Sequence, residues 1–313
     1  MARGPRWLRG ELPGADPGRV VAARTLGVAR ARVPVAVLAR LDRGDPARRI
    51  RRPLVRARVR LARRRARGVR EWLAIREGHV FGRELGELDS GEPCPPGELE
   101  RYYDAITEGP GIFKWWHYLP IYERHLARFR GQTVHLVEIG VWSGGSLRMW
   151  RDYLGVRSRV TGVDIDPACK AFETDGISVV IGDQGDPAFW QEFLADTAPI
   201  DVVIDDGSHL PADQIVTLKA LLPELRPGGI YVCEDLHSKG SRFCRFVDGF
   251  TRNIDWATTW IPRPDGGRAY ETTPFQRSVA SVHRYPFVTV IERTQASEAR
   301  FEAPRRGTEW LPE

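Results

Sequence analysis

The sequence predicts an α/β protein, doubly wound around a mostly parallel sheet that closes with an antiparallel final strand, and three observations carry this. Five short, continuously apolar runs alternate with helix-like segments between positions 135 and 234. Such runs, separated by segments long enough to cross over, belong to a parallel sheet covered on both faces. The chain then holds two further apolar runs, 278–285 and 287–292, parted only by Pro286. One residue leaves no room for a crossover, so that pair must be antiparallel. With 42% hydrophobic residues and ten tryptophans among 313, there is material for the core such a sheet needs.

Residues 1–45 are rich in Gly, Pro, Ala and Arg without periodicity, and read as disordered. Residues 47–77 form a candidate basic helix with a ragged apolar stripe of Val55, Val59, Leu61, Val69, Trp72 and Leu73. Residues 1–83 hold 23 Arg, no Lys and six acids, a charge of +17, whereas the remainder carries −11. Attraction to anionic lipid or nucleic acid is one reading of the basic arm. The ratio of 43 Arg to four Lys over the whole chain favours the other, compositional drift. The expected organisation is therefore an Arg-rich extension over 1–85 and a catalytic domain over 86–313, opening on a Gly/Pro/Asp-rich linker at 86–97. Helical patterning follows at 98–108 and 115–130. Strands are expected at 135–139, 159–164, 177–181, 200–205 and 229–234, with helices near 143–154, 166–174, 186–196 and 211–225. A long loop-rich insert follows, in which Trp256, Trp260, Tyr270 and Phe275 either wall a pocket or pack. No run reaches the ~18 apolar residues of a membrane span, and the short apolar stretch at 31–41 is interrupted by Arg32, Pro34 and Arg40. Four scattered cysteines without a CxxC pair argue against a zinc ribbon or disulfide framework and suit the reduced cytoplasm.

This order of elements is the seven-stranded, Rossmann-like arrangement of methyltransferases rather than of a plain dinucleotide domain. In an open parallel sheet the ligand lies outside the carboxyl ends of the strands. The first strand delivers Glu138-Ile139-Gly140-Val141-Trp142-Ser143-Gly144-Gly145-Ser146 to that edge, where glycine lets backbone turn tightly and approach a ligand. The spacing is not GxGxxG, and S-adenosylmethionine (SAM), having no pyrophosphate, does not need it. Glu138, Gly140, Trp142, Ser143 and Gly144 are the candidate cofactor residues, with strand–helix punctuation as the structural alternative. The second strand ends at Asp164, 24 residues beyond Gly140, where an acid accepts hydrogen bonds from both ribose hydroxyls. Asp166, before Pro167, suits the amino cap of the next helix better. The third ends in Asp183-Gln184, an acid and an amide suited to the adenine amino group.

The fourth strand ends in Asp205-Asp206-Gly207-Ser208-His209 and the fifth in Glu234-Asp235. Neighbouring strands lie about 4.8 Å apart, so these carboxylates converge, and like charges that close need a proton or a cation between them. An oxygen-only donor set favours Mg2+. Asp206, Glu234 and Asp235 are the candidate metal ligands; Asp205 is assigned to the cofactor, with helix capping as its alternative. A divalent cation beside SAM suits methylation of an alcohol, a very weak acid whose alkoxide a cation stabilises while a base removes the proton. His209 is the candidate base, because an expected helix start just beyond it favours an uncharged imidazole.

At Asp206 to His209 with Glu234-Asp235, spaced by 28 residues, together with the 138–146 loop, the sequence resembles the metal-dependent sugar O-methyltransferases of macrolide tailoring. It is also similar to the related cephalosporin hydroxylase and rhamnosyl O-methyltransferase group. The resemblance covers about 110–313, including Lys114-Trp115-Trp116-His117-Tyr118, Ser281-Val282-His283 and Gly307-Thr308-Glu309-Trp310. It implies SAM and Mg2+ as cofactors, Asp206, Glu234 and Asp235 as ligands, and His209 as base. It further implies a hydroxylated, glycosylated small-molecule acceptor and a homo-oligomer, although the macrolide enzymes assemble through a folded amino-terminal domain where this chain has its Arg-rich segment. Two rivals stand beside it. A hydroxylase would need a 2-His-1-carboxylate cluster, which the sequence does not display. A nucleic-acid methyltransferase would use the basic arm, but the acidic body and the lack of an NPPY-type amine site count against it.

Overall fold

The computed structural model describes residues 68–69, 71–86, 91, 94–237 and 241–309. The segment read as disordered and most of the expected basic helix lie outside these residues, as does Trp310. The chain divides into two units, Met1–Gly91 and Glu92–Glu313. In the first, the described residues form a helix, α1, over 71–84, longer at its end than the pattern suggested and exposed along its whole length.

The second unit opens with α2 (Glu98–Asp104), a 3-10 turn at Trp116–Tyr118, α3 (Leu119–Leu126) and another 3-10 turn at Ala127–Phe129. Pro120 occupies the first turn of α3, where its missing N–H costs nothing. The alternating elements that follow are β1 (His135–Ile139), α4 (Gly145–Leu154), β2 (Arg159–Asp164), a 3-10 helix at Pro167–Phe172, β3 (Ile177–Ile181) and α5 (Pro187–Asp196). Then come β4 (Ile200–Asp205), α6 (Pro211–Leu221), β5 (Leu225–Cys233) and α7 (Arg242–Thr251). Asp166 caps the 3-10 helix as expected, its side chain accepting from Ala168 N. The last elements are β6 (Trp260–Pro262), β7 (Arg268–Glu271), β8 (Val279–Tyr285), β9 (Val288–Arg293) and β10 (Arg300–Ala303).

Seven strands form one sheet in the order β3-β2-β1-β4-β5-β9-β8. Strands β1 to β5 are parallel, and β9 runs against both β5 and β8. The apolar runs lack alternation because both faces are buried. Along β4, Val202 and Ile204 enter one core with Leu119, Tyr122, Leu147 and Trp150, while Val203 enters the other with Trp190, Ile215, Leu218 and Phe243. The same period of two sends Ile230 and Val232 of β5 one way and Tyr231 the other. Register fixes the functional edge, since Ile139 pairs with Val163 and Asp205, and Asp205 pairs with Cys233. The residues just beyond these partners therefore emerge side by side.

Two expectations need correction. The strand expected at 229–234 starts earlier, at Leu225, where the last of the expected helices was to end, and takes in Pro227. A register irregularity between Ile200 and Val202 of β4 and a left-handed Gly228 (φ 76°) accommodate it. The insert before β8 is also more than loop: β6 and β7 join β10 in a separate three-stranded antiparallel sheet, ordered β10-β7-β6. Its strands are only three or four residues long, too short for periodicity to register.

Candidate active site

Beyond β1 the chain turns through Gly140 at φ 91°, a left-handed conformation that side chains resist. A Cβ there would lie 2.2 Å from the backbone oxygen of Asp206, so the glycine lets the β1 and β4 edges touch. Gly144 (φ 75°) caps α4, and a Cβ on it would strike the Phe172 ring at 2.4 Å. Between them Trp142 holds φ 47° with its indole exposed. A segment from the amino-terminal side lies over this loop, Gly145 N donating to Gly111 O at 3.1 Å. Together they enclose a cleft of about 440 Å³. Of the residues singled out from the sequence, Gly140, Trp142, Asp164, Asp183, Gln184, Asp206, His209 and Asp235 line it.

The other candidates stand behind that lining. Glu138 is fully buried, accepting from Ser146 Oγ at 2.7 Å and lying 3.5 Å from Lys114 Nζ. Burial raises its pKa even against that ammonium. Ser143 lies beside Gly111, whose added Cβ would be 3.4 Å away. Asp205 is fully buried, bonded to Tyr231 OH at 2.6 Å and Gln184 Nε2 at 3.0 Å, and burial pushes its pKa up to about 6. It thus meets the cleft only through Gln184, whose amide is spent on Asp205, Thr217 Oγ1 and Ser208 N.

Asp164 is held by Val141 N at 2.8 Å and Trp142 N at 3.1 Å on one oxygen and Asp166 N at 2.9 Å on the other. Burial works to raise its pKa, but these backbone donors win and hold it below the ordinary value. The Cys169 thiol also lies against this carboxylate. The Asp183 side chain accepts from Gly185 N at 2.8 Å.

At the other end of the cleft the acids converge on a residue the sequence reading had not picked as functional. Lys114 Nζ lies 2.6 Å from Asp206 Oδ2, 3.0 Å from Glu234 Oε2 and 3.5 Å from Glu138 Oε1, with its side chain 2% exposed. Burial opposes its charge, but the three acids hold its pKa well above the ordinary lysine value. Burial in turn pushes Glu234 up to about 8, against the pull of Lys114. Asp235 joins these acids, accepting from Tyr118 OH at 2.7 Å and Trp115 Nε1 at 3.2 Å. His209 Nε2 sits 3.7 Å from Asp235 Oδ2 and 4.0 Å from Asp206 Oδ1. His209 and Asp235 both adopt left-handed backbone, φ 55° and 56°, the kind of strain that surrounding structure must enforce.

One feature suits a divalent cation: ligand atoms of Asp206, His209 and Asp235 all lie within 4.8 Å of one another, a group that takes in the candidate base rather than Glu234. Glu234 is buried behind it, with Lys114 Nζ on Oε2 and the Tyr122 hydroxyl against its carboxylate. A second grouping corrects the sequence reading: among the described residues, His125, His283 and Glu292 do make a 2-His-1-carboxylate cluster. None of them lines the cleft. Both ring nitrogens of His125 are already engaged, Nδ1 with Glu292 Oε1 and Nε2 with Tyr285 OH, each at 2.9 Å.

With this geometry in hand, residues 137–236 match the family described as a methyltransferase domain. That segment is a methyltransferase domain. Its bounds run from β1 to just past Asp235, the same stretch that builds the cleft. Among curated relatives, the chain is 41% identical over 235 residues to the 8-demethyl-8-(2-methoxy-alpha-L-rhamnosyl)-tetracenomycin-C 3'-O-methyltransferase of Streptomyces olivaceus, covering 67% of this chain and 58% of that one. The mycinamicin VI 2''-O-methyltransferase of Micromonospora griseorubida is 40% identical over 146 residues, covering 44% and 35%. The chain spans about a third to three fifths of the length of such relatives. A solved structure of the mycinamicin-pathway methyltransferase MycE, in complex with Mg, SAH and mycinamicin VI, aligns at a TM-score of 0.50 and 28% identity, covering 63% of this chain and 53% of that one.

Proposed function

We propose that this protein is a SAM- and Mg2+-dependent O-methyltransferase acting on a sugar hydroxyl of a glycosylated natural product. The observation that carries the reading is the continuity of the cleft. One cavity runs from the glycine turn and the acids at 164 and 183 to Asp206, His209 and Asp235. The relatives named above transfer methyl groups to sugar hydroxyls, which supports the same acceptor class here.

In this reading Asp164 takes a ribose hydroxyl, and Asp183 faces the adenine. Gly140 and Trp142 present backbone to the methionine portion. Asp206, Glu234 and Asp235 would hold the cation, which supplies a Lewis acid that lowers the cost of ionising an acceptor hydroxyl. His209 receives the hydroxyl proton at Nε2 as the acceptor oxygen attacks the sulfonium methyl. The carbon–sulfur bond breaks with its electron pair on sulfur, releasing neutral S-adenosylhomocysteine (SAH). Lys114 lines the same cleft. It holds Asp206, Glu234 and Glu138 together and so positions the ligand set. The four cysteines, all free, fit a reducing compartment, and we infer a cytoplasmic location.

Transfer of labelled methyl from SAM to nitrophenyl glycosides tests the reading. EDTA should abolish transfer and Mg2+ restore it, with SAH binding surviving in EDTA. Full turnover in EDTA would remove the cation from the account.

A further inference from the structure

The first unit carries an apolar surface that stays in water. Along α1, Trp72, Leu73, Ile75, Val80 and Phe81 are all exposed, Trp72 by 57% and Phe81 by 63%. Leu73 and Val80 stand two turns apart on one side of the helix. With Phe81 they line a shallow groove flanked by Arg76, Glu77 and Glu84. The Arg76 guanidinium lies 5.6 Å over the Trp72 ring. The stripe that the sequence placed on Val69, Trp72 and Leu73 thus continues along α1. Left in water, such a surface gains nothing for folding.

Helix α1 is also poorly equipped to stand alone. Its 14 residues are near the lower limit for a helix in water. Gly78 and Gly82 lie inside it and weaken it further. The sequence leading into it is strongly charged, with twelve Arg and no acid between positions 48 and 70. Compositional drift accounts for the arginines. It does not account for two aromatic and three aliphatic side chains exposed on the helix that follows.

We propose that α1 and the arginine-rich stretch before it form a peripheral anchor for an anionic lipid bilayer, independently of the O-methyltransferase reading. Arginine is drawn to the negative surface of such a bilayer, while apolar side chains of a helix enter the headgroup boundary. Trp72 suits that boundary, with its apolar ring and polar N–H. The long stem of Arg76 lets its charge reach the headgroups from beside that ring. Charge and apolar surface together choose this partner. A nucleic acid would satisfy the arginines, yet its phosphates gain nothing from Leu73, Ile75 and Val80. A second copy of α1 would cover the apolar residues, but it would set two segments of charge +17 side by side. An anionic bilayer takes both features at once. Attachment is to the surface, since among the described residues no helix is long and apolar enough to cross a membrane.

The test is co-sedimentation of the full chain with lipid vesicles. The probes are vesicles of phosphatidylcholine alone and vesicles carrying about 30% phosphatidylglycerol. The anchor predicts that the anionic vesicles bind about tenfold or more tighter than the neutral ones. A variant combining Trp72→Ser, Leu73→Ser and Phe81→Ser should bind the anionic vesicles about tenfold or more weaker. A variant combining Arg63→Gln, Arg64→Gln and Arg65→Gln should lose about a hundredfold. Thermal melts, unchanged in both variants, serve as the control for folding. Equal binding to the two vesicles overturns the anchor. So does a serine variant that binds the anionic vesicles like wild type, since charge alone would then be at work. Wild type that ignores vesicles but binds single-stranded RNA through the same arginines would assign the arm to nucleic acid. Wild type that ignores vesicles and is a dimer which the serine variant dissolves would assign α1 to a second copy. Either of these results also overturns the proposal.

Discussion

His209 reaches the cleft because its own backbone is bent into the left-handed region and the helix that follows, α6, begins only at Pro211. Its imidazole lies within 4.0 Å of two carboxylates, close enough to share a proton with a hydroxyl held between them. Replacing it with alanine should cut turnover by about a hundredfold or more while SAH affinity, measured by calorimetry, stays within a factor of about three. Equal loss of both would make His209 a structural residue. At this scale the strand-end acids were legible because a carboxylate directly after a buried apolar run has few reasons to be there. Lys114 was not legible as a site residue, since its partners Asp206 and Glu234 lie 92 and 120 positions away. The one available signal was rarity, four lysines against 43 arginines. The split between lining acids such as Asp183 and supporting ones such as Asp205 was equally hidden. It depends on which way each side chain points beyond the strand.

Helix α3 meets the β8–β9 hairpin through the second acid–imidazole cluster. His125 bridges Glu292 and Tyr285, while Ser281 Oγ contacts both His283 Nε2 at 3.0 Å and Glu292 Oε2 at 3.1 Å. Burial lowers the His125 pKa despite Glu292. For Glu292 burial acts upward, but His125 and Arg128 prevail and lower it. Both shifts make the unfolded chain bind more protons than the folded one, so stability falls as the pH is lowered. The His125 contribution is lost below its unfolded value of about 6.5, and that of Glu292 below about 4.3. Asp205, raised to about 6, works the other way, so the comparison must be between variants. Thermal melts from pH 7.5 to 5 should show a smaller decline for His125→Gln than for wild type; parallel curves would remove the clamp. Sequence periodicity captured the long elements well, because burial on both sheet faces leaves continuous apolar runs. It missed the small β10-β7-β6 sheet, whose strands are short and mostly exposed.

Across the whole molecule, function follows from topology. Parallel register between β1, β2, β4 and β5 sets their carboxyl ends level, so chemistry spread over a hundred residues of sequence meets at one edge. This is why the strand order was sufficient to locate the cleft, and why the basic arm, which dominates the charge, was uninformative about it. What the topology leaves is a cluster of four acids, Glu138, Asp206, Glu234 and Asp235, against one buried lysine, and the central claim is that a divalent cation completes it. Mn2+ binding followed by electron paramagnetic resonance measures this directly. The account predicts one bound Mn2+ per chain, displaced by Mg2+, lost in Asp235→Asn and retained in Glu292→Gln. Binding that survives Asp235→Asn but disappears in Glu292→Gln would place the cation at the His125 cluster and contradict the account.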